Sequence, residues 1–146
     1  MHTQKIIASL GVLLCVFVNF SAVAYADTTV SFSDYRSSVL YEIADTTDSI
    51  LNIEDETAYC ISSATGTNTA RITIKHTLQK YWGLWIWNDV KGAEWSRTEE
   101  RNSVRLSNSI SGLDSGTYRV KSVFTLTNKS GKSETITVYS ETKSVP

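Results

Sequence analysis

Residues 70–80 read ARITIKHTLQK, and this stretch is the clearest indication of the fold class. Every second position carries an apolar side chain or the one histidine outside the leader (Ala70, Ile72, Ile74, His76, Leu78). The positions between them carry Arg, Thr, Lys and Gln. An alternation with a period of two predicts a β-strand that buries one face and exposes the other.

The flanking sequence continues this pattern in both directions. Short β-patterned segments are predicted at 49–53, 57–63, 84–90, 103–109, 117–127 and 132–144. Between them lie turn signals, among them Glu54-Asp55-Glu56, Trp82-Gly83 and the glycine-containing run 128–131. Thr, Ser and Val are abundant, and the only proline is Pro146. The sequence therefore predicts an all-β fold, a single immunoglobulin-like two-sheet β-sandwich of about seven antiparallel strands.

The first 26 residues have the three parts of a secretory signal. A polar start with one positive charge is followed by an apolar stretch at 6–20, and then by Ala24-Tyr25-Ala26. This pattern predicts a signal peptide at 1–26, a mature chain that starts at Asp27, and a secreted, extracellular protein. The alternative is a membrane anchor, but a span needs about 20 apolar residues. No membrane span is expected after signal cleavage.

The mature chain divides into a polar acidic N-terminal arm at 27–47 and a β-sandwich domain at 48–146. Residues 27–56 carry eight acidic side chains against one basic, whereas residues 57–146 carry seven acidic and twelve basic. Either the arm lies on a basic sheet, or the sheet offers a basic surface to anionic polymers. Because the basic residues are spread over several strands, no nucleic-acid partner is expected.

Nucleophilic chemistry has little support in the sequence. Cys60 is the only cysteine of the mature chain, so no intrachain disulfide is expected. Its strand-like surroundings predict a buried thiol, and the alternative is an intermolecular disulfide. A Cys60–His76 pair is conceivable, but His76 falls in register with the apolar row of 70–80. No G-x-S-x-G motif occurs. The sequence predicts that the protein is not an enzyme and has no catalytic residues.

Metal and cofactor signals are similarly weak. One histidine and one cysteine do not make a zinc site, and no glycine-rich phosphate loop is present. Oxygen ligands for calcium occur in one segment, but without the spacing of an EF-hand (Asp45, Asp48, Asn52, Glu54, Asp55, Glu56). The sequence predicts no metal site and no cofactor, and leaves a loop calcium as the alternative.

Aromatic residues are the strongest candidates for a binding site. Five of them fall within fifteen residues (Tyr81, Trp82, Trp85, Trp87, Trp95). In a strand that starts at Leu84, Trp85 and Trp87 share one face while Leu84 and Ile86 share the other. Exposed tryptophans form a flat platform on which sugar rings stack. The alternative is that one pair belongs to the core and the other covers the sheet.

Residues 113–120, LDSGTYRV, resemble the corner that opens the penultimate strand of immunoglobulin and fibronectin type III domains. The resemblance implies that the Tyr118 hydroxyl bonds back to the backbone. Val120 stands where an immunoglobulin domain has its second cysteine. More broadly, the runs 72–81 (ITIKHTLQKY), 116–120 and 130–135, with the Trp-containing strand, look like a group of small exported proteins of Gram-positive bacteria. That group has no characterised activity; it implies bacterial origin, secretion and the sandwich, and offers no site residues.

These observations predict a secreted, non-enzymatic binding domain that acts at or outside the cell surface. Its partner is a glycan or cell-wall polymer held by exposed tryptophans. The alternative is a structural or protein-interaction sandwich that pairs an edge strand of its final hairpin with a surface protein.

Overall fold

The computed structural model describes residues 41–146. The predicted signal peptide and residues 27–40 of the predicted arm lie outside the described residues. Residues 41–146 lie within one compact unit, which contains all the described strands and core side chains. Because it has its own hydrophobic core, it meets the criterion for a domain that folds alone.

Residues 41–146 form eight β-strands and no helix. No part of this range is therefore a helix of the length and hydropathy that membrane crossing requires. The strands are β1 Thr46–Glu54, β2 Thr57–Thr65, β3 Thr69–Gly83, β4 Ile86–Glu99, β5 Ser103–Ile110, β6 Gly116–Asn128, β7 Ser133–Tyr139 and β8 Lys143–Val145.

The strands form two antiparallel sheets. One has the order β1-β2-β5, and the other has the order β4-β3-β6-β7, with β8 also paired to β6. The predicted all-β, two-sheet sandwich is confirmed. The predicted last strand, 132–144, is divided into β7 and β8. At the break, the backbone N–H of Ser140 donates to the Val120 carbonyl over 2.9 Å, and its Oγ accepts from the Val120 N–H over 2.8 Å.

The strand order is immunoglobulin-like. Immunoglobulin domains place their first, second and fifth strands in one sheet and their third, sixth and seventh in the other. The same distribution holds here, and β4 pairs with β3 at the edge of the second sheet. The predicted tyrosine corner is also present, because the Tyr118 hydroxyl donates to the backbone carbonyl of Asp114 over 2.6 Å.

The core is divided into two apolar clusters by a layer of polar side chains. The buried row predicted for β3 is confirmed, since Ile72, Ile74, His76 and Leu78 are all fully buried. The predicted exposure of the other face is only partly correct, because Thr77 and Gln79 on it are buried as well. One cluster includes Ile72, Ile74, Phe124 and Leu126, and the other includes Leu51, Cys60, Leu78, Tyr118 and Val120.

The polar layer takes one side chain from each of five strands. Ser49 and Ser62 each lie 2.7 Å from the Oγ of Ser122. Ser62 Oγ lies 2.8 Å from Nδ1 of His76, whose Nε2 lies 3.1 Å from Oδ1 of Asn108. Because the Asn108 oxygen is an acceptor, Nε2 carries the proton and Nδ1 accepts from Ser62. Each buried group of this layer thus has a partner, as a low-dielectric interior requires.

The connection between β3 and β4 differs from the prediction. The strand predicted from Leu84 begins instead at Ile86. Gly83 pairs with Ile86, which leaves Leu84 and Trp85 as a two-residue turn. Their φ angles are 48° and 69°, and positive φ at both central residues is what a type I′ hairpin turn requires. Trp85 and Trp87 therefore do not share a strand face, and that prediction is wrong.

A large bulge interrupts β4. Thr77 pairs with Glu94 and Gln79 pairs with Asp89, so the four residues 90–93 lie opposite Leu78 alone. Gly92 supplies the positive φ of 78° that this extra length needs. Because a bulge bends its strand and increases the local twist, this one changes the direction of β4 at the base of the β3–β4 hairpin.

The described end of the acidic segment belongs to the sandwich. The carboxylate of Glu134 accepts the backbone N–H groups of Glu42, Ile43 and Ala44 over 3.1–3.2 Å. Ile43 and Ala44 are buried in the first core cluster. β1 then begins at Thr46, two residues before the predicted domain boundary at 48.

Candidate functional site

The β3–β4 hairpin projects from one end of the sandwich. The last pair between β3 and β6 joins Lys80 to Tyr118, and β3 continues to Gly83 with β4 as its neighbour. The run from Lys80 to Leu84 corresponds to about 13 Å of strand at roughly 3.3 Å per residue. This projecting end carries most of the aromatic residues that the sequence predicted as a site.

Several carboxylates lie at the same end of the molecule, together with Lys80 and Lys143. Because the strands are antiparallel, the β1–β2 turn, the β5–β6 loop and the end of β8 all lie at the end where β3 finishes. The backbone N–H of Leu113 in that loop donates to the Glu56 carbonyl over 3.0 Å. The turn and the loop bring together four carboxylates (Glu54, Asp55, Glu56, Asp114).

The five predicted aromatic residues do not form one platform. Trp95 is half-buried, contacts both core clusters and meets the His76 ring edge to face at a centroid distance of 5.4 Å. It therefore belongs to the packing of the sandwich. This matches the alternative in which part of the cluster is core.

Tyr81 and Trp87 lie on the outer face of the second sheet. Their ring centroids are 5.2 Å apart. The guanidinium of Arg119 stands between the rings of Trp87 and Tyr139, 4.1 Å from each centroid. Such stacking uses the cation–π attraction. The ring face of Trp87 is thus covered by Arg119 of the same chain.

Two side chains outside the aromatic set hold this outer-face stack. The Nε of Arg119 donates to the side-chain oxygen of Gln79 over 3.0 Å, and the Gln79 amide donates to Asp89 over 2.8 Å. Partial burial lowers the pKa of Arg119, and the nearby Tyr139 hydroxyl acts in the opposite direction. A guanidinium stays charged in proteins, so the stack retains its cation.

Trp82 points to the other side of the hairpin and borders a cleft of about 370 Å³. We call this the hairpin cleft. An irregularity between Tyr81 and Gly83 leaves Trp82 without a partner on β4, and its side chain is 76% exposed. The rest of the lining comes from the base of the hairpin and from the β5–β6 loop (Lys80, Asn88, Asp89, Val90, Gly112, Leu113, Asp114, Tyr118).

Trp85 occupies the turn itself with Leu84. Their side chains are 90% and 87% exposed, so neither contributes to the core. The structure therefore separates the predicted aromatic set into four environments, which are the core, the outer face, the cleft and the turn. Only Trp82 and Trp85 are exposed tryptophans.

The conceivable thiol–imidazole pair is not formed. Both ring nitrogens of His76 have other partners, Ser62 and Asn108. Burial raises the pKa of the Cys60 thiol to about 12, so the thiol stays protonated and is a poor nucleophile. Cys60 is fully buried and free, as predicted.

The acidic segment considered for calcium does not converge on one point. The Asp45 carboxylate accepts from the backbone N–H and the hydroxyl of Thr67, both over 2.7 Å, and these hydrogen bonds lower the pKa of Asp45. Asp48 accepts from the Ser49 N–H over 2.9 Å. Within 41–146 no group of three or more His, Cys, Asp or Glu side chains is arranged to hold a metal ion.

Comparison with known proteins identifies no family. No protein-family model and no curated protein matches the chain. Two crystal structures of wild-type OgpA from Akkermansia muciniphila align with it. One has 14% identity and a TM-score of 0.38 over 68% of this chain and 29% of that one. The other has 12% identity and a TM-score of 0.39 over 73% and 32%. The chain thus spans less than a third of OgpA.

The polar side chains of the cleft carry no functional signal in the sequence. Lys80 stands at the end of the alternating row, and Asn88 and Asp89 fall in the predicted strand 84–90 without any distinguishing motif. Asp114 belongs to the tyrosine-corner pattern, which concerns folding. Their proximity to Trp82 depends on the bulge in β4 and on the β5–β6 loop, and neither feature has a clear sequence signal.

Proposed function

We propose that this chain is a secreted, non-enzymatic binding domain that takes the end of a glycan or cell-wall polymer in the hairpin cleft. The observation that carries the proposal is the position of Trp82, an exposed indole on the wall of a cleft with several polar side chains. The apolar face of a sugar ring stacks on an indole, while the sugar hydroxyls need donors and acceptors beside it.

The polar lining supplies both kinds of group. Lys80 donates, Asp114 accepts, and the amide of Asn88 does both. The Lys80 ammonium lies 5.5 Å from the centroid of the Tyr118 ring. Gly116 makes room for this side chain, because a Cβ at that position would come within 2.6 Å of Lys80 Cε. Lys80 is therefore held against the cleft before a ligand arrives, which lowers the entropic cost of binding.

The size of the cleft fits a small portion of a polymer. Its volume of about 370 Å³ falls in the lower part of the range of roughly 300–1,000 Å³ seen for small-molecule sites. The cleft is open to solvent, so the rest of a bound polymer can extend away from it. This geometry favours recognition of a chain end or a side branch.

The test is a fluorescence titration of residues 37–146 with purified peptidoglycan, teichoic acid and soluble glycans. We expect a saturable shift of the tryptophan emission with one of them. Trp82→Ala should weaken binding by about tenfold or more, since it removes the stacking ring. Asp114→Asn should weaken it less, because the amide keeps one acceptor.

The matched control is Trp85→Gly, which removes an equally exposed tryptophan from the same hairpin and leaves the cleft intact. Its glycan affinity should equal that of the wild type. If no polymer shifts the emission, or if Trp82→Ala and wild type bind alike, the glycan proposal is wrong.

Secretion is part of the same proposal and rests on the leader at 1–26. N-terminal sequencing of protein recovered from the culture medium tests it, with Asp27 expected as the first residue. A protein retained in the cells with Met1 intact would contradict export.

A second candidate function uses the edge of the larger sheet. β7 pairs with β6 alone among the described strands, so one row of its backbone groups is free to add a strand from a surface protein. Thr137→Pro on this edge tests the idea, because it removes a backbone donor while the cleft is unchanged. Loss of a protein partner in this variant, with no glycan response in wild type, would favour the edge-strand function.

A further inference from the structure

Residues 81–87, which we call the hairpin tip, read YWGLWIW and contain no charged side chain. Four of them are apolar and strongly exposed, with Trp82 at 76%, Leu84 at 87%, Trp85 at 90% and Ile86 at 49%. Soluble domains rarely expose contiguous apolar surface unless something covers it. The hairpin cleft uses one side of Trp82 and leaves Leu84, Trp85 and Ile86 without a role.

The tip is apolar on every side. Trp82 faces the cleft, Tyr81 and Trp87 face the outer side with Arg119, and Leu84 and Trp85 form the end. A groove on a protein partner would cover one side of such a projection. A lipid bilayer surrounds an inserted projection completely, so the distribution of apolar side chains fits a bilayer better.

The backbone of the tip is suited to the interfacial region of a bilayer. Gly83 pairs with Ile86, and Tyr81 pairs with Trp87. The groups that face across the hairpin are therefore paired, whereas those on its two outer edges need water or lipid headgroups, which the interfacial region supplies and the hydrocarbon core does not. From Tyr81 to Leu84 the tip extends about 10 Å. Interfacial segments enter a bilayer by about 5–10 Å, and Trp and Tyr favour that depth.

The turn residues are apolar where local preference disfavours them. Two-residue turns with positive φ favour Asn-Gly, whereas Leu84 and Trp85 hold φ angles of 48° and 69°. Bulky residues in this conformation are strained. Since both side chains are almost fully exposed, packing inside the domain does not compensate for the strain. No contact within residues 41–146 therefore accounts for their apolar character.

The charges around the tip select the kind of membrane. Lys80 and Asp89 flank it along the hairpin, Arg119 stacks on Trp87, and Lys143 pairs with Tyr118 beside Lys80. The neighbouring turn and loop carry carboxylates (Glu54, Asp55, Glu56, Asp114). Because these charges leave no cationic excess beside the tip, anionic lipid headgroups gain no attraction to this end of the domain. We propose that the hairpin tip inserts into the interfacial region of a zwitterionic lipid bilayer and holds the domain at a membrane surface.

The experiment uses residues 37–146, which exclude the apolar leader, and vesicles of pure phosphatidylcholine. Flotation should recover the protein with the vesicles, and tryptophan emission should shift to shorter wavelength and be quenched by brominated acyl chains. The variant Leu84→Asn with Trp85→Gly restores the preferred turn residues, so the hairpin stays folded. Its vesicle partitioning should fall by at least about tenfold.

The matched control is Asp55→Asn with Glu56→Gly. It makes the same kind of change in the β1–β2 turn, whose central residues also have positive φ, 44° and 59°. The control should bind phosphatidylcholine vesicles as wild type does. Vesicles with one third phosphatidylglycerol should bind wild type no more tightly than pure phosphatidylcholine, because the tip has no cationic excess beside it.

Three results would overturn the inference. The first is a wild-type protein that does not float with the vesicles, and the second is an Asn-Gly turn variant that floats equally well. The third is a dimer, detected by sedimentation, that the turn variant loses, because the tip would then be a contact between two copies. The glycan proposal is judged separately, since the turn variant keeps Trp82 and should retain its glycan affinity.

Discussion

Among single residues, Tyr118 makes the contact that holds the β5–β6 loop against β6. Its hydroxyl donates to the Asp114 carbonyl over 2.6 Å, and its side chain is only 2% exposed. Tyr118→Phe should lower the free energy of unfolding by about 1 kcal/mol, because the partly buried hydrogen bond to the Asp114 carbonyl is lost. Urea unfolding measures this. Tyr59→Phe, at an exposed tyrosine on β2, should change stability little, and an equal loss would contradict the assignment.

Cys60 should be inert in the folded protein. Burial raises the pKa of its thiol to about 12, and the thiolate is the reactive form. We expect no measurable labelling by a thiol reagent at pH 8 on a timescale in which the urea-unfolded chain reacts completely. Rapid labelling of folded protein, or a covalent dimer under oxidising conditions, would show that the thiol is accessible.

His76 should make stability depend on pH. Burial lowers the pKa of His76 below its ordinary value of 6.5, and the hydrogen bond with Asn108 acts in the opposite direction. The unfolded chain therefore takes up a proton at higher pH than the folded one. Stability is complete above about 6.5 and falls as the pH drops through this value towards the folded pKa.

Urea unfolding at pH 7.5 and pH 5 tests the effect of His76. Wild type should lose stability over this interval, whereas His76→Gln should be less stable at both pH values and show a smaller difference between them. The pKa of Asp45 in the folded protein is lowered from 3.8. Its contribution to stability is therefore lost only below this pH interval and does not affect the comparison. Equal pH dependence in both proteins would contradict the role of His76.

Among the elements, the β3–β4 hairpin has a strained turn, as does the β1–β2 hairpin. A non-glycine residue in the left-handed region destabilises the fold by roughly 1–2 kcal/mol. The β3–β4 turn contains two such residues, Leu84 and Trp85. The variant Leu84→Asn with Trp85→Gly should therefore raise the free energy of unfolding by about 1–3 kcal/mol. The gain is measured by urea unfolding in the absence of lipid. A loss of stability instead would mean that Leu84 or Trp85 packs within the domain.

The bounds of the β3–β4 turn and of β4 differ from the predicted ones for a physical reason. The alternation of apolar and aromatic residues from 84 to 90 matches a strand pattern, and nothing in Gly83-Leu84-Trp85-Ile86 resembles a favoured turn. The register is determined farther along, where Thr77 pairs with Glu94 and the bulge at 90–93 absorbs four residues. Pairing across the whole strand outweighs the preference of two turn residues.

For the whole molecule, the distribution of the four tryptophans predicts its fluorescence. Trp82 and Trp85 are exposed, whereas Trp87 and Trp95 are half-buried by Arg119 and by the core. Acrylamide should quench part of the emission strongly, and Trp82→Phe with Trp85→Phe should remove most of that part. Trp87→Phe is the control and should leave most of the accessible emission. A single, uniformly protected population would contradict the exposed site.

The fold class follows from the sequence alone. The apolar row of residues 70–80 and the run LDSGTYRV predict a sandwich with a tyrosine corner, and both are confirmed, whereas the turn predicted at Trp82-Gly83 is wrong. The sandwich is predictable because alternating apolar residues indicate which face of a strand is buried. The tyrosine corner is predictable because it depends on residues close together in the chain. The buried positions of Cys60 and His76 follow from the same alternation.

The contacts at the candidate site and in the core, by contrast, depend on how distant strands pair and pack. The layer Ser49–Ser122–Ser62–His76–Asn108 joins five strands, and the hairpin cleft joins Trp82 to a loop that lies beyond β5 in the chain. The separation of the aromatic cluster into core, outer face, cleft and turn likewise depends on the bulge in β4. Such contacts come from strand pairing and sheet packing between segments far apart in the chain. A local sequence pattern therefore does not predict them.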